Sequence, residues 1–231
     1  MQAVKRNDLT GQAYDVILHK IIDADYKPGQ KISVKRIEED VQIGRTPIRE
    51  ALLQLRQEGL INIVPQSGTY ISKIDMKEVL DARLVRACVE QRIMTEATTK
   101  QLTIEQKTIL QQLIQTQQIA MHNNDFVKFL TEDDQFHHYF YQITNHERIW
   151  DWLKVINVQF DRFRFLRLKV QQLSWSLLVS DHKDILNAVE SNNIGEVQRI
   201  TANHMHLMLK EESSLIKTFP DYFENYQSVT K

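Results

Sequence analysis

Hydrophobic side chains recur at every third or fourth position along most of the chain, which is the spacing of helices that bury one face. Three such helices are predicted before residue 60, from the segments GQAYDVILHKIIDADY, SVKRIEEDV and TPIREALLQLRQEG. Two short alternating runs follow, LINIV and TYISKI, and the PQSG between them predicts a hairpin. Three helices followed by a hairpin is the order of a winged helix-turn-helix.

The helical spacing continues from residue 76 to residue 213 in six long segments, without strand-like alternation. Five of the six glycines and three of the four prolines lie in the first 68 residues. Because glycine and proline mark turns and interrupt helices, only the second part can form long helices. We therefore predict a mainly α protein with a winged helix-turn-helix at 1–74, an all-α bundle at 75–217 and a loose polar tail at 218–231.

Local signals predict the ends of individual helices. Ser33 is the predicted N-cap of the second helix, because its hydroxyl can accept from a backbone N–H of the first turn. In the third helix, Thr46 is the predicted N-cap and Pro47 the first helical residue, where its missing N–H costs little. Gly59 is predicted to close that helix in the left-handed conformation.

Composition and charge narrow the classes of protein. The chain has 231 residues, a formal net charge of −1 and one cysteine, Cys88, which excludes a disulfide framework. Apolar neighbours predict that Cys88 is buried, and Trp150, Trp152 and Trp175 are predicted to pack in the core. No apolar run reaches the roughly 18 residues of a membrane span, and no signal peptide is visible at the start, so we expect a cytoplasmic protein.

Two arginines, Arg45 and Arg49, stand one turn apart at the start of the third predicted helix. The inward stripe of that helix places them and Thr46 on its outer, leading end, which reaches base edges in helix-turn-helix proteins. Arginine suits bidentate contact with guanine or with a phosphate. A solvated helix start with two ordinary arginines is the alternative. The net charge of residues 1–74 is only +2, from 11 basic and 9 acidic side chains, which permits DNA binding but does not indicate it.

Residues 10–73 resemble the GntR family of bacterial transcription regulators. The resemblance rests on the segments KPGQKIS, RTPIREAL, EGLI and PQSGTYIS. It implies a recognition helix at Thr46–Gln57 and DNA contacts from the second helix, the recognition helix and the tip of the wing. The implied contacts are Lys35 to the backbone, Arg45, Thr46 and Arg49 on the recognition helix, and Gln66, Ser67 and Gly68 in the minor groove.

Two positions depart from the family pattern. Gln42 stands where the family usually has glycine, and Gly44 stands where it usually has serine or threonine. The second departure removes a hydroxyl that would bond a phosphate, so Gly44 is left out of the predicted contacts. The small positive charge of the domain also predicts modest non-specific affinity, because that affinity comes from counterion release.

Seven of the eight histidines lie in the second domain. Asp133 and His137 are four residues apart, so on a helix they point the same way and can hold one ion. A carboxylate together with imidazoles suits zinc, nickel or manganese. From this spacing alone, a surface Asp–His pair is the simpler interpretation.

The second domain resembles the FCD ligand-binding domain of the FadR subfamily, through RACVE, DDQFH, DHKDILNAV and ANHMHL. The resemblance implies a bound divalent metal, with zinc the first choice. His138 and His206 point away from the neighbouring ligands by roughly 100° and 200° on a helix, so we predict that they are bystanders. The implied ligands are Asp133, His137, His182 and His204.

Arg86 is the residue that the same resemblance places near the pocket, where it can pair with an anionic effector. A salt bridge on the helix surface to Glu90, four residues on, is an equally simple account of it. Both interpretations stay open at the level of sequence.

The function implied is a transcription regulator that binds a palindromic operator in double-stranded DNA as a homodimer. A small organic acid at the metal would control its affinity for that operator. One alternative is a regulator with a purely structural metal or no effector. Another is a metalloenzyme that uses three histidines and an aspartate. Since no general base is marked beside the four ligands, we do not expect an enzyme.

Overall fold

The computed structural model describes residues 9–226, apart from the side chain of Met208. Contacts divide the described chain into two compact units, one of residues 9–76 together with 219–226, the other of residues 77–218. The prediction had placed the first boundary between residues 74 and 75. Residues 1–8 of the predicted first domain and residues 227–231 of the predicted tail lie outside the described part.

The first unit begins with three helices, α1 (Leu9–Ile22), α2 (Val34–Val41) and α3 (Arg45–Gln57). Each helix turns its apolar stripe inward. The buried side chains are Ala13, Ile17, Ile21, Ile37, Ile48, Ala51, Leu52 and Leu55. Two hydroxyl groups of α1 also bond carboxylates near α3, Thr10 to Glu50 at 2.7 Å and Tyr14 to Glu58 at 2.6 Å. This packing holds α3 in place while its other face stays exposed.

The helix caps match the sequence signals in part. Ser33 Oγ accepts from the Arg36 backbone N–H at 3.1 Å, which confirms the predicted cap of α2. The predicted start of α3 is wrong, because Gly44 is the N-cap and Thr46 is already helical. Pro47 therefore occupies the third helical position, where its missing N–H would also have had no intrahelical acceptor. Gly59 has φ +73°, as predicted.

The wing is a three-stranded antiparallel sheet of β1 (Lys31–Ile32), β2 (Ile61–Val64) and β3 (Gly68–Ile71), in the order β1-β3-β2. The predicted hairpin is formed by β2 and β3, and its register pairs Ile61 with Ile71 and Val64 with Gly68. With the three helices, this sheet completes the predicted winged helix-turn-helix.

The chain after residue 218 differs from the predicted loose tail as far as residue 226. A 3₁₀ turn at Pro220–Tyr222 leads into β5 (Phe223–Glu224), which pairs in parallel with β4 (Ile74–Asp75). Phe223 is only 2% exposed, and the Asn225 side-chain amide donates to the Asp75 carboxylate at 2.7 Å. One buried aromatic ring and a few backbone bonds are enough to order this short segment, although its composition is polar.

The second unit is built from seven helices within the described residues, because Asn157 interrupts the fourth of the six predicted segments. They are α4 (Met76–Thr99), α5 (Ile104–His122), α6 (Phe126–Ile143), α7 (Glu147–Ile156), α8 (Val158–Leu168), α9 (Trp175–Glu190) and α10 (Ile194–Thr218). Their shared core is rich in phenylalanine and aliphatic side chains. The fold class is therefore the predicted one.

Two burial predictions in this unit are wrong. Cys88 is exposed, and the Trp152 side chain is 59% exposed. Cys88 lies two residues after the buried Arg86, and Trp152 lies two residues after the buried Trp150. Two residues correspond to a rotation of about 200° around a helix, so both side chains point away from the core. Trp150 is buried, and Trp175 packs against the core as predicted. None of the described helices combines the length and apolarity needed to cross a membrane.

We expect Phe223→Ala to lower the free energy of unfolding by about 3 kcal/mol, because it empties a buried aromatic site. Chemical denaturation of the full chain measures this change. Tyr226→Ala, at the more exposed ring three residues on, is the control and should stay within about 0.5 kcal/mol of wild type. A loss below about 1 kcal/mol for Phe223→Ala would show that the segment contributes little to the unit.

Candidate functional site

The leading end of α3 carries three predicted DNA contacts on its exposed side. Arg45, Thr46 and Arg49 are all exposed, while the opposite stripe of the helix is buried. Arg45 Nε lies 3.4 Å from a carboxylate oxygen of Glu38. Within residues 9–226, no acidic side chain pairs with Arg49. This end of the helix can therefore offer guanidinium groups to a groove or to phosphates.

The other predicted DNA contacts lie on α2 and on the wing. Lys35 is exposed, with Nζ 4.0 Å from Glu39. Gln66, Ser67 and Gly68 form the tip of the wing, where Gln66 has φ +59° and Gly68 has φ +137°. That conformation at residue 68 favours glycine, since other residues rarely adopt it. All seven predicted contacts thus belong to the first unit.

Three histidines meet inside the second unit. His137 on α6, His182 on α9 and His204 on α10 are buried, and one ligand atom from each lies within 4.8 Å of the others. The Nε2 atoms of His137 and His182 are 3.3 Å apart. Residues separated by more than 60 positions in sequence are therefore brought to one point.

Each ring of this histidine cluster has an acceptor beside its Nδ1, in hydrogen-bond geometry for His182 and His204 and as an ion-pair contact for His137. The contacts are His137 with Glu90 at 2.5 Å, His182 with Gln117 at 2.8 Å and His204 with Asp181 at 3.0 Å. When Nδ1 carries the proton and donates it to such an acceptor, Nε2 presents a lone pair. Lone pairs that face one another at short range repel, and a bound cation relieves that repulsion. The donor set therefore fits a metal ion.

The protonation state also fits a metal ion. Burial lowers the pKa of His137, although the Glu90 carboxylate opposes this change. Burial lowers the pKa of His182 well below its ordinary value, despite the negative charge of Asp133. Both rings are accordingly neutral at pH 7, and the neutral imidazole is the form that binds a metal.

Asp133, the fourth predicted ligand, lies at the edge of the histidine cluster. Its carboxylate is 3.5 Å from His182 Nε2, but it is outside the set of atoms that converge within 4.8 Å. Gln117 donates to Oδ1 at 3.0 Å, and Arg164 donates to Oδ2 at 2.5 Å. Burial alone would raise the pKa of Asp133, but the Arg164 charge and the nearby histidines hold it low. A carboxylate that ligates metal here would have to be shared with Arg164.

Arg86 forms the ion pair with Glu90 that the sequence left as an alternative. The pair is fully buried rather than at the helix surface, and the second carboxylate oxygen of Glu90 contacts His137. Burial would raise the pKa of Glu90, but Arg86 and His137 lower it to about 2. Arg86 is thus linked to the histidine cluster through one anionic side chain.

A cavity of about 50 Å³ adjoins the histidine cluster. It has room for a few water-sized groups. Its polar lining is Arg86, Asp133, Arg164, Arg167 and His204. Arg167 is held by Glu211 through two bonds of 2.5 and 2.8 Å, and its Nη1 has no partner among residues 9–226. Each of the three guanidinium groups is paired with a carboxylate, and the free Nη1 of Arg167 is the donor that an anion in this space could use.

Sequence reasoning missed some of the side chains around the histidine cluster. Arg164 and Arg167 stand three residues apart in DRFRFLR, a helical spacing that could have pointed to them, whereas Gln117 gives no such signal. The two histidines predicted as bystanders lie outside the cluster. His138 stacks on Trp150, and His206 Nδ1 contacts the Ala202 carbonyl.

A winged helix-turn-helix with exposed arginines at the leading end of its third helix, joined to an all-α domain, defines a class of DNA-binding transcriptional regulators. Residues 9–71 match the bacterial regulatory proteins of the gntR family, and residues 81–207 match the FCD domain. The chain belongs to the GntR family and carries an FCD domain. These families and the relatives of this chain are regulators, not enzymes.

Curated relatives cover nearly the whole chain. The HTH-type transcriptional repressor RspR of Escherichia coli K12 is 27% identical over 212 residues, which is 92% of each protein. An HTH-type regulator from an unstable DNA locus of Streptomyces ambofaciens is 24% identical over 203 residues, 88% of this chain and 84% of that protein.

Solved structures share the fold. E. coli McbR/YncC superposes with a TM-score of 0.74 at 18% identity, covering 92% of this chain and 99% of the other. A GntR regulator from Rhodococcus sp. RHA1 superposes with a TM-score of 0.69 at 15% identity, covering 90% and 97%. At these identities the likeness establishes the fold alone.

We expect Glu90→Gln to lower the free energy of unfolding of the metal-free protein by about 3 kcal/mol at pH 7, because Arg86 loses its buried anion. The folded-state pKa of Glu90, about 2, is below its ordinary 4.5. Its ionised form therefore stabilises the fold above that ordinary pKa, and the contribution is lost as pH falls toward the folded-state value. The difference between variant and wild type should shrink at pH 3, measured by urea unfolding.

Glu105→Gln, at an exposed position in the first turn of α5, is the matched control and should change stability by less than about 0.5 kcal/mol at either pH. A Glu90→Gln effect that is equally large at both pH values would contradict the assignment of a buried, ionised Glu90.

Proposed function

We propose that this protein is a homodimeric transcription regulator whose affinity for a palindromic operator is set by a small carboxylate bound at a metal centre in the FCD domain. The observation that carries the proposal is the convergence of His137, His182 and His204 beside a cavity lined by arginines. A DNA-binding regulator has no need of buried imidazoles and guanidinium groups in its second domain unless that domain binds something. The protein would act on the chromosome, in the cytoplasm.

In the DNA complex, Arg45 and Arg49 read guanine edges or bind phosphates, with Thr46 beside them. Lys35 approaches the backbone from α2, and the wing tip, Gln66, Ser67 and Gly68, enters the minor groove. The pair between Arg45 and Glu38 is exposed and long, so exchanging it for a DNA contact costs little.

The proposed homodimer has a candidate surface on α7. Trp152, Val155 and Ile156 are 59%, 77% and 47% exposed on this ten-residue helix. Exposed apolar side chains clustered this closely are typical of a protein interface. A twofold dimer would present two recognition helices to an inverted repeat.

In the proposed effector site, the three histidines and Asp133 hold a divalent metal, most simply zinc, with nickel or manganese as other choices. The metal would supply positive charge and an open coordination position for a carboxylate. Arg86, already ordered by Glu90, lines the same cavity and can pair with the remaining charge of the anion. The size of the cavity favours a small organic acid. The alternative to this effector site is a metal that only stabilises the fold.

In vitro selection with the wild-type protein should recover an inverted repeat with half-sites about one helical turn apart. Arg49→Ala and Arg45→Ala should each weaken binding to that duplex by about tenfold to a hundredfold, because each removes a charge-assisted base or phosphate contact. Fluorescence anisotropy at fixed salt measures these affinities. Arg56→Ala removes an exposed arginine from the other end of α3 and should leave the affinity close to wild type. Equal losses for Arg49→Ala and Arg56→Ala would exclude a special role of the leading end.

Plasma mass spectrometry of zinc-loaded, desalted protein should find about one zinc per chain. His137→Ala, His182→Ala and His204→Ala should each abolish this content, and Asp133→Ala should lower it, because each removes a proposed ligand. His138→Ala and His206→Ala are the matched controls and should keep the metal. Wild-type protein that retains no metal after incubation with zinc, nickel or manganese would rule the centre out.

Saturation of the zinc-loaded protein with a panel of small mono- and dicarboxylates should change its operator affinity by about 5- to 150-fold for the cognate acid. His182→Ala should lose this response while the metal-free variant still binds the operator. If the metal is structural, His182→Ala will instead lower the free energy of unfolding by the same amount with and without carboxylate, and no acid in the panel will alter the operator affinity of wild type.

A further inference from the structure

A second cavity, of about 340 Å³, lies among α6, α7 and α8 and is larger than the one beside the histidine cluster. We call it the outer cavity. Its lining combines two carboxylates, an imidazole and an indole with a buried amide. The lining includes Asp134, His138, Trp150, Lys154, Asn157 and Asp161. Nothing in the effector mechanism uses this space, although its volume is that of a small-molecule site.

The outer cavity carries an excess of negative charge. Arg164 bonds Asp134 and Asp161, each at 2.8 Å, and also Asp133, so one guanidinium serves three carboxylates. Arg164 lies behind the lining, and Lys154, the cation in the lining itself, is 3.7 Å from Asp151. Burial raises the pKa of Asp161 to about 6, and the nearby Asp134 adds to that rise while Arg164 opposes it. A ligand that brings positive charge would be stabilised here.

The lining also offers a hydrogen-bond acceptor that the fold leaves unused. Asn157 is only 4% exposed, and its Oδ1 has no hydrogen-bond partner among residues 9–226. A buried acceptor without a donor is costly, so the site is complete only when an N–H or O–H reaches it. Carboxylates and an amide oxygen around one space therefore favour a ligand with several hydrogen-bond donors.

A metal ion fits this space less well than an organic cation. In the part of the chain that the structure describes, the histidine cluster is the one group of His, Cys, Asp and Glu atoms close enough to hold an ion. The oxygen and nitrogen atoms that line the outer cavity are therefore too far apart to bind one metal ion together. The outer cavity is large enough for a molecule of several non-hydrogen atoms, and the Trp150 ring forms an apolar part of its wall.

We propose that the outer cavity binds a small organic molecule bearing a primary ammonium group, and that this ligand and the metal at the histidine cluster weaken each other's binding through Arg164. The ammonium pairs with Asp134 and Asp161 and a donor of the ligand reaches Asn157. Arg164 then turns more fully to Asp133, which is the carboxylate that the metal needs. The second half of the proposal rests on the proposed metal centre, whereas the first half does not.

Fluorine NMR of the full chain labelled with 5-fluorotryptophan tests the site directly. The three tryptophans give separate reporters, and Trp150→Phe identifies the one in the outer cavity. In chelator-treated protein at fixed ionic strength, 1,4-diaminobutane or ethanolamine should shift the Trp150 signal to saturation at millimolar concentration or below. The Trp175 signal should not move. The matched diols, 1,4-butanediol and ethylene glycol, should have no effect, because they lack the charge.

Asp161→Asn and Asp134→Asn should each weaken amine binding by about tenfold, the loss of one charge-assisted hydrogen bond. Glu147→Gln removes an exposed carboxylate from α7 outside the cavity and should leave the affinity unchanged. The Asp134 variant keeps the test valid if the more buried Asp161 variant does not fold. No saturating Trp150 shift with either amine, or equal weakening by Glu147→Gln, overturns the proposed site.

The coupling is tested by repeating the titration on zinc-loaded protein, where the amine should bind at least about fivefold more weakly. An unchanged amine affinity overturns the coupling but not the site. A protein that binds the amine but no zinc refutes the proposed metal centre and, with it, the coupling. These outcomes separate the failure of each proposal from that of the other.

Discussion

Each imidazole of the histidine cluster has an acceptor beside its Nδ1, and the polar interior of the second domain is organised around these contacts. Glu90 contacts His137 Nδ1 as an anion, and a buried anion needs a cation, which Arg86 supplies from the preceding turn of α4. Gln117 accepts from one imidazole and donates to Asp133, so one amide orients two groups. These side chains form one connected network, so each polar group has a partner. The network can keep the histidines in place although burial disfavours every charged group in it.

Arg164 connects this interior to the outer cavity. It is the shared partner of Asp133 at the edge of the histidine cluster and of two carboxylates on the other side. One guanidinium cannot neutralise three carboxylates, so the pairing would change if a cation entered either space. Rearrangement of a shared ion pair is a physical way for two ligands to affect one another without touching. A metal, a carboxylate effector and an ammonium ligand would all act on the same set of charges.

Much of the fold could be predicted because it follows from local rules. The inward stripe of α3 and the cap at Ser33 each depend on neighbours within one or two turns. The errors arise where a local rule has more than one solution. Proline is tolerated at several positions of the first helical turn, so Pro47 did not fix the start of α3. Apolar character alone did not bury Cys88 or Trp152, because their helices turn other faces to the core.

The sequence by itself determined two domains, their helical and winged classes, the exposed arginines of α3 and, with the family resemblance, the histidines that meet. The tertiary structure alone decided that Asp133 is paired with Arg164, that Arg86 and Glu90 form a buried pair, and that residues 219–226 return to a strand of the first unit. The reason is the range of the interactions. Helix periodicity and capping act within a few residues, whereas the partners of a buried charge are chosen by whichever side chains the packed helices bring within about 3 Å.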